Sequence, residues 1–125
     1  MREPSAIPVG IYEKALTKDL SWEERLDTAA SAGYDFVEIS IDESEERLAR
    51  LYWSPSERAN LRNAINNTGV QVLTMGVSGL RKFPLGSASS VTREKAVDIF
   101  IRAIELASDI SFRSIRGFFV FCESE

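Results

Sequence analysis

The chain has 125 residues, of which 44% are hydrophobic and 27% charged, and this suits one modest globular domain with a single core. Its net charge of −4 gives no electrostatic basis for binding nucleic acid. No apolar run approaches the ~20 residues of a membrane span, and the N-terminus lacks a signal-peptide core. A single cysteine excludes an internal disulfide, so a cytoplasmic protein is predicted. The absence of histidine excludes a histidine-based triad and any imidazole metal ligand within the chain.

Strands and helices alternate from the N-terminus onward. A short first strand is predicted over residues 7–11. Ser21 and Glu24 have the spacing of a capping box at the start of the first helix, and Gly33 ends that helix. Residues 36–41 then form a second strand, whose apolar run suits burial on both faces.

The same pattern recurs in the second half of the chain. A capping box at Ser54 begins the second helix, and a third strand is predicted over residues 70–75. A long loop leads to a third helix over residues 91–108, and a fourth strand begins at Phe112. Strands that alternate with helices of this length predict parallel βαβ units, hence an α/β fold.

Glu38 is the carboxylate within the apolar run of the second strand, and Ser40 follows it. Parallel sheets bind ligands at the C-terminal ends of their strands, because loops and helix N-termini converge there. From the residues alone, Glu38 is either a ligand-binding carboxylate or a solvated acid at a strand end. The charges that follow have i, i+4 spacing and predict a solvated helical face. They are Glu43, Glu45, Glu46, Arg47 and Arg50. Asp42 and Glu43 are adjacent and would point to opposite faces, which argues against a metal-binding pair.

Four separated stretches resemble, in order, the ketopentose-phosphate 3-epimerases. They are residues 10–15 (Gly-Ile-Tyr-Glu-Lys-Ala), 36–43, 46–51 and 81–87 (Arg-Lys-Phe-Pro-Leu-Gly-Ser). This family contains L-ribulose/L-xylulose 5-phosphate 3-epimerases, also labelled hexulose-6-phosphate isomerases, and belongs with the xylose-isomerase-like TIM barrels. The resemblance implies parallel βαβ units that form the first half, from the first to the fourth strand, of a (β/α)₈ barrel, which takes about 250 residues when complete.

The resemblance extends from about Pro8 to about Ile115, so a single truncated barrel domain over residues 1–125 is expected. Residues 1–6 are expected to be a leader, and residues 116–125 a tail that has diverged from the family. Leu80 stands where the family has a histidine, and the helix-ending glycine before the fourth strand is absent. The expected origin of such a sequence is a gene interrupted by a frameshift or an early stop.

The resemblance implies that five residues bind substrate: Tyr12, Glu38, Ser78, Arg81 and Lys82. Arg81 and Lys82 are the basic pair in a loop after a strand, and would face the substrate phosphate through bidentate donors and a point charge. The alternatives are a solvated loop pair, a turn-capping role for Ser78, and packing of Tyr12 at the barrel mouth. No catalytic residue and no metal ligand are assigned, because the family takes its divalent-metal ligands and two catalytic glutamates from later strands.

The family's activity is epimerisation at C3 of a ketopentose phosphate in pentose or ascorbate catabolism. That reaction needs a base, a divalent metal and an acid on the opposite face. The chain is therefore expected to lack activity by itself. The expected partners are a ketopentose phosphate in the full-length family and no nucleic acid or membrane. A non-catalytic remnant, or a half-barrel that associates with itself through its exposed face, is the alternative; another xylose-isomerase-like sugar isomerase is a further one.

Overall fold

The strands form one parallel sheet. The computed structural model describes residues 7–110 and the backbone of residues 114–117. The strands are β1 (Gly10–Tyr12), β2 (Phe36–Ser40), β3 (Gln71–Val77) and β4 (Ser114–Gly117). They pair in parallel in the order β1-β2-β3-β4. This order confirms the prediction of consecutive parallel βαβ units.

The helices lie between successive strands. They are α1 (Trp22–Ser31), α2 (Glu45–Leu48), α3 (Pro55–Thr68) and α4 (Ser90–Ile110). Within the part of the chain that the structure describes, three 3₁₀ helices accompany them: η1 (Glu13–Ala15), η2 (Ala49–Tyr52) and η3 (Ser78–Arg81). The sequence predicted α1, α3 and α4, and it predicted one helical face over residues 43–50 where the structure has the short helix α2 followed by η2. The sequence analysis predicted none of the 3₁₀ helices, because such short segments have too little periodicity to be recognised.

Capping residues fix the ends of the helices. Ser54 forms a complete capping box with Glu57, because each side chain accepts a hydrogen bond from the other residue's backbone N–H. At α1 the box is incomplete: the Ser21 hydroxyl accepts from the Glu24 N–H and also donates to the Glu24 carboxylate. Gly69 adopts a φ of +73° after α3, where the left-handed conformation favours glycine.

The boundaries of the first three strands differ from the predicted ones by at most three residues. β1 begins at Gly10, because the Val9 N–H is bonded to the Asp35 carboxylate at 2.7 Å instead of to a strand. β3 continues to Val77, so Ser78 is the first residue of η3. The predicted leader lies outside the described residues, as does the predicted tail beyond residue 117.

One apolar core holds the sheet and the helices together. Alternate residues of β2 and of the chain that follows it, Val37, Ile39 and Ile41, are fully buried in this core. Buried residues from the helices complete it, among them Leu26 of α1 and Leu61 of α3. The side chains between them, Glu38 and Ser40, point to the opposite face of the sheet by the alternation of a strand. That face is called the inner face below, because it is the face that a closed barrel encloses.

None of the helices in the described part of the chain has both the length and the apolar character needed to cross a lipid bilayer.

Candidate functional site on the inner face of the sheet

The inner face carries polar side chains from three neighbouring strands. The register pairs Tyr12 with Glu38, Glu38 with Thr74, and Ser40 with Gly76. The register between β2 and β3 shifts after Val37, so β3 contains one more residue than β2 at this level. Such a bulge changes the direction in which the following side chains point. Here it sets Thr74 beside Glu38.

Two hydrogen bonds organise these side chains. The Thr74 hydroxyl donates to the Glu38 carboxylate at 2.6 Å, and the Tyr12 hydroxyl donates to the Ser40 hydroxyl oxygen at 2.8 Å. Glu38 is 9% exposed and Ser40 is fully buried, so both acceptors lie in a largely water-free environment. Hydrogen bonds in such an environment hold their partners in fixed positions.

Gly76 leaves room between the two pairs. A Cβ at this position would lie 3.1 Å from Oε1 of Glu38 and 3.4 Å from the Tyr12 ring. The phenol and the carboxylate therefore flank the same glycine. A side chain here would displace one of them, and the absence of one lets both approach the backbone of β3.

A cavity of about 280 Å³ opens beside these residues. Its lining consists of Gly10, Ile11, Tyr12, Phe36, Glu38 and Thr74. A phenol, a carboxylate and a hydroxyl beside apolar surface are typical of a site that orients a small polar ligand.

A larger open groove of about 470 Å³ lies near the start of α4, lined by Leu85, Ser90, Arg93, Glu94 and Val97. Its arginine is occupied: Arg93 donates to the carbonyl oxygens of Ser87 and Ala88 at 2.7 and 3.0 Å. The groove contains no buried ionisable side chain, which makes the inner-face cavity the better candidate.

A buried ion network lies next to the inner face, where β1 and β2 end. The Glu13 carboxylate accepts from Arg50 at 2.6 Å, from Arg47 at 3.3 Å and from the Ser40 N–H at 2.7 Å. The Glu13 side chain has no exposed surface, and that of Arg50 is 6% exposed. A buried carboxylate needs such compensation, because transfer of an unpaired charge from water is strongly unfavourable.

Aromatic rings surround the Arg50 guanidinium. Its carbon lies 5.1 Å from the centre of the Trp22 ring and 5.9 Å from that of Trp53. The Arg25 guanidinium lies 4.9 Å from the Trp22 ring, and burial lowers the pKa of Arg25. Ring faces attract cations, so they stabilise the charge of Arg50 in a site with little water.

Asp42 extends the network towards the surface. It accepts hydrogen bonds from the backbone N–H and the hydroxyl of Ser44, from Arg47 at 3.2 Å and from Lys14 at 2.8 Å. Burial acts to raise the pKa of Asp42, but the hydrogen bonds from Lys14 and Ser44 outweigh it and hold this pKa well below the ordinary range. The bond to Asp42 raises the pKa of Lys14.

The five predicted substrate-binding residues fall into two groups. Tyr12 and Glu38 lie together on the inner face, both lining the cavity. Ser78 and Arg81 belong to η3, which follows β3, and Lys82 caps that helix. Glu38 is the central residue of β2 and pairs with Thr74, four positions before Ser78. Glu38 is thus deeper in the sheet than the predicted strand end.

The members of the second group differ in exposure. Ser78 is 7% exposed, while Arg81 and Lys82 are exposed, and the Lys82 ammonium lies 5.6 Å from the centre of the Phe83 ring. The backbone of η3 is attached to β2, since the Gly79 N–H donates to the Ile41 carbonyl at 3.0 Å. The basic pair is therefore carried by a segment that is fixed to the sheet.

The predicted solvated face over residues 43–50 is wrong for two of its members. Arg50 is buried and Arg47 is partly buried, and both bind Glu13. The sequence prediction treated these residues as one regular helix, whereas α2 ends at Leu48 and η2 turns Arg50 inward. The apolar residues Leu51 and Trp53, which follow Arg50 closely in the sequence, were the signal that this part of the chain is buried.

The residues that the structure describes do not fit a divalent metal. The sequence has no histidine. Within the described residues, no three His, Cys, Asp or Glu side chains converge. The two carboxylates of the ion network, Glu13 and Asp42, are already bound by Arg50, Arg47 and Lys14. No metal-dependent step is therefore assigned to this chain.

The fold has counterparts among known proteins. The family described as the xylose isomerase-like TIM barrel matches residues 26–118. The chain belongs to this family.

Two curated relatives are L-ribulose-5-phosphate 3-epimerases. The chain is 50% identical over 117 residues to a putative L-ribulose-5-phosphate 3-epimerase, SgbU, of Escherichia coli (strain K12), a match over 92% of this chain and 41% of SgbU. It is 49% identical over 110 residues to the L-ribulose-5-phosphate 3-epimerase UlaE of Escherichia coli O157:H7, a match over 88% of this chain and 39% of UlaE. The chain thus spans about two fifths of the length of these relatives.

Solved structures of two sugar epimerases share the fold. A D-psicose 3-epimerase crystallised in the presence of D-fructose superimposes with a TM-score of 0.71 at 18% identity, over 89% of this chain and 37% of that one. A D-allulose 3-epimerase from Methylomonas sp. in complex with D-allulose gives a TM-score of 0.67 at 17% identity, over 91% and 37%. At this identity the likeness establishes the fold alone, and it confirms the prediction of the first βα units of a TIM barrel.

Proposed function

We propose that the chain forms the substrate-binding N-terminal half of a ketopentose-phosphate 3-epimerase barrel, with L-ribulose 5-phosphate as ligand. The observation that carries the proposal is the convergence of the Glu38–Thr74 and Tyr12–Ser40 pairs beside one cavity. A ketose presents several hydroxyl groups that each donate and accept a hydrogen bond. A carboxylate that only accepts and hydroxyls that do both are suited to orient such a molecule.

The phosphate end of the ligand is assigned to η3. Arg81 and Lys82 are exposed cations on the segment that follows β3, and Ser78 contributes a hydroxyl beside them. Arginine binds phosphate through two parallel N–H donors, whereas lysine acts as a point charge. In this proposal the sugar occupies the cavity next to Glu38 and its phosphate extends towards the C-terminal ends of the strands.

The chain by itself is proposed to bind without turnover. Epimerisation at C3 needs one group that removes a proton and another that returns it on the opposite face. Glu38 is a carboxylate in the proposed site, and Tyr12 has a phenol that is bonded to Ser40. This set supports ligand orientation rather than proton exchange. The cytoplasm is the proposed location, since the chain's single cysteine suits a reducing compartment.

Calorimetric titration of the purified chain with L-ribulose 5-phosphate tests the proposal. Glu38→Gln should weaken binding by about 10- to 150-fold, because a hydrogen bond to a charged acceptor is worth roughly 1.5–3 kcal/mol. Glu105→Gln, an exposed change on α4, is the matched control and should leave binding unchanged. Absence of binding by the unaltered chain would refute the proposal.

Turnover is followed by NMR after addition of Mn²⁺, Mg²⁺ or Zn²⁺, and no L-xylulose 5-phosphate should form. Metal-dependent conversion that is lost in Glu38→Gln would overturn the assignment of a purely binding role. The phosphate assignment is tested with unphosphorylated L-ribulose. Arg81→Ala should reduce the preference for the phosphorylated sugar more than Lys82→Ala does, and Lys18→Ala, at an exposed position outside the site, should not alter it.

A second candidate function is self-association of the half-barrel, favoured by an apolar stripe on α4. Val97, Ile101 and Ile104 are 48%, 50% and 45% exposed, at i, i+4 and i+7 spacing. A stripe of this kind usually packs against another helix. The proposed occupant is a second copy of the chain. Sedimentation analysis should show a dimer or larger species that Ile101→Glu converts to monomer; a monomeric unaltered chain would eliminate this candidate.

A further inference from the structure

The backbone of Ser40 lacks a strand partner on the β1 side. Tyr12 is the last residue of β1 and pairs with Glu38, and η1 then turns the chain away. On the other side, the Ile41 N–H and carbonyl bond to Gly76 and Gly79. In a parallel ladder, the N–H and the carbonyl of one residue point to the same neighbouring strand, so those of Ser40 face the place that β1 has left.

The Glu13–Arg50 ion pair occupies that place. The Glu13 carboxylate accepts from the Ser40 N–H at 2.7 Å, and Arg50 donates to the Ser40 carbonyl at 2.9 Å. The two side chains are joined to each other at 2.6 Å. The ion pair thus acts as one further rung of the β1–β2 ladder, made of side chains instead of backbone.

Ser40 in turn holds Tyr12. Its hydroxyl oxygen accepts from the Tyr12 hydroxyl at 2.8 Å, and Tyr12 lines the cavity. A chain of direct contacts therefore runs from Glu13 and Arg50 through Ser40 to the phenol at the ligand site. Neither charged side chain is among the residues that line the cavity.

We infer that Glu13 and Arg50 are positioning residues that set the Tyr12 hydroxyl for the ligand, acting through the backbone of Ser40. The inference rests on the proposed function for the identity of the ligand. The contacts that join Glu13 and Arg50 to Tyr12 through Ser40 do not depend on that proposal. Substituting either charged residue moves the end of β2 and releases the phenol. Because a site tolerates little displacement of the groups that bind its ligand, affinity falls although no contact to the ligand has been removed.

The first test follows Tyr12 without any ligand. Tyrosine labelled with ¹³C at Cζ gives a resonance that Tyr12→Phe identifies, and its chemical shift reports the hydrogen bond of the hydroxyl. Ser40→Ala and Arg50→Lys should both move this resonance, whereas Arg58→Lys, in an exposed pair with Asp109, should leave it in place. A Tyr12 resonance unmoved in Arg50→Lys would overturn the inference, even if Ser40→Ala, which removes the direct acceptor, moves it.

The second test is a double-mutant cycle on the dissociation constant for L-ribulose 5-phosphate. Arg50→Lys should weaken binding about five-fold when Tyr12 is present and have no further effect in Tyr12→Phe. Equal effects in both backgrounds would overturn the inference, because Arg50 would then act on binding independently of Tyr12. Should Arg50→Lys fail to fold, Glu13→Gln, at the other member of the ion pair, replaces it in the cycle. If the unaltered chain does not bind the ligand, the proposed function fails and the Tyr12 resonance decides the positioning role.

Discussion

The Thr74 hydroxyl donates a hydrogen bond of 2.6 Å to the Glu38 carboxylate, and this bond joins β3 to β2 at the level where β3 contains an extra residue. The pair could not form in a regular register, because Leu73 would then lie opposite Glu38. The bulge and the hydrogen bond therefore depend on each other, and together they shape the cavity on the inner face.

Thr74→Val removes the hydroxyl with little change of shape. The free energy of unfolding should fall by about 1–3 kcal/mol, since a largely buried carboxylate loses a donor. Urea denaturation measures this change. Thr28→Val is the matched control, because the Thr28 hydroxyl donates to the Glu24 carbonyl in an exposed position of α1. A loss no larger than that of the control would show that water replaces the Thr74 hydroxyl.

Arg50→Met leaves the fully buried Glu13 carboxylate without its shortest ion pair. Removal of one partner of a buried pair typically costs about 3–5 kcal/mol, because the other charge stays in the interior. The double variant Glu13→Gln with Arg50→Met should lose less than the sum of the two single variants. Thermal and urea unfolding of the four proteins give the coupling. Arg58→Met, which breaks a more exposed pair with Asp109, should cost about 0–1 kcal/mol.

Gly69→Ala tests the end of α3. Gly69 has a φ of +73°, and nothing lies within 4 Å of the position that a Cβ would take, so the cost is one of backbone conformation. We expect a loss of about 1–2 kcal/mol on unfolding. Gly69→Asn should cost less, because asparagine adopts this conformation more readily than alanine. Equal losses for the two variants would contradict a conformational cause.

Asp42 should make stability dependent on acid pH. Its pKa in the folded chain lies well below the ordinary value, so the unfolded chain binds the proton more tightly. The stabilisation is then present above about pH 4 and is lost as the pH falls further, through the folded pKa. Asp42→Asn should flatten the acid limb of the profile of unfolding free energy against pH, whereas Asp27→Asn, at an exposed position of α1, should not.

The contribution of Lys14 to stability has the opposite dependence on pH. Its raised pKa contributes stability at neutral pH that declines as the pH rises through the folded pKa, above about pH 10. Because the Asp42 side chain is the cause, Asp42→Asn should remove this alkaline contribution as well. An alkaline decline that persists in Asp42→Asn would assign it to another group.

The alternation of strands and helices was predictable because it depends on local signals. The caps at Ser21 and Ser54 and the glycines that follow α1 and α3 lie within a few residues of the helix ends that they fix. The apolar run of β2 likewise identifies a strand buried on both faces. These features predicted parallel βαβ units, and the parallel sheet with the order β1-β2-β3-β4 confirms them.

The contacts of the site were less accessible, because they join distant parts of the chain. Tyr12 and Ser40 are 28 residues apart, Glu38 and Thr74 are 36 apart, and Glu13 and Arg50 are 37 apart. A register shift of one residue between β2 and β3 decides whether Thr74 reaches Glu38, and no local sequence pattern predicts that shift. Arg50 was misassigned for a similar reason, since helical spacing does not reveal where a short helix ends.

The side-chain rung that Glu13 and Arg50 form at Ser40 also affects the kinetics of folding and unfolding. It needs β1 paired with β2, and the segment after β2 folded back far enough to bring Arg50 to Glu13. We therefore expect it to close after the rate-limiting step of folding. Interactions completed that late leave the folding rate almost unchanged and slow unfolding instead. The buried ion pair would then lengthen the lifetime of the folded chain, because it forms after the transition state for folding and must break before the chain can unfold.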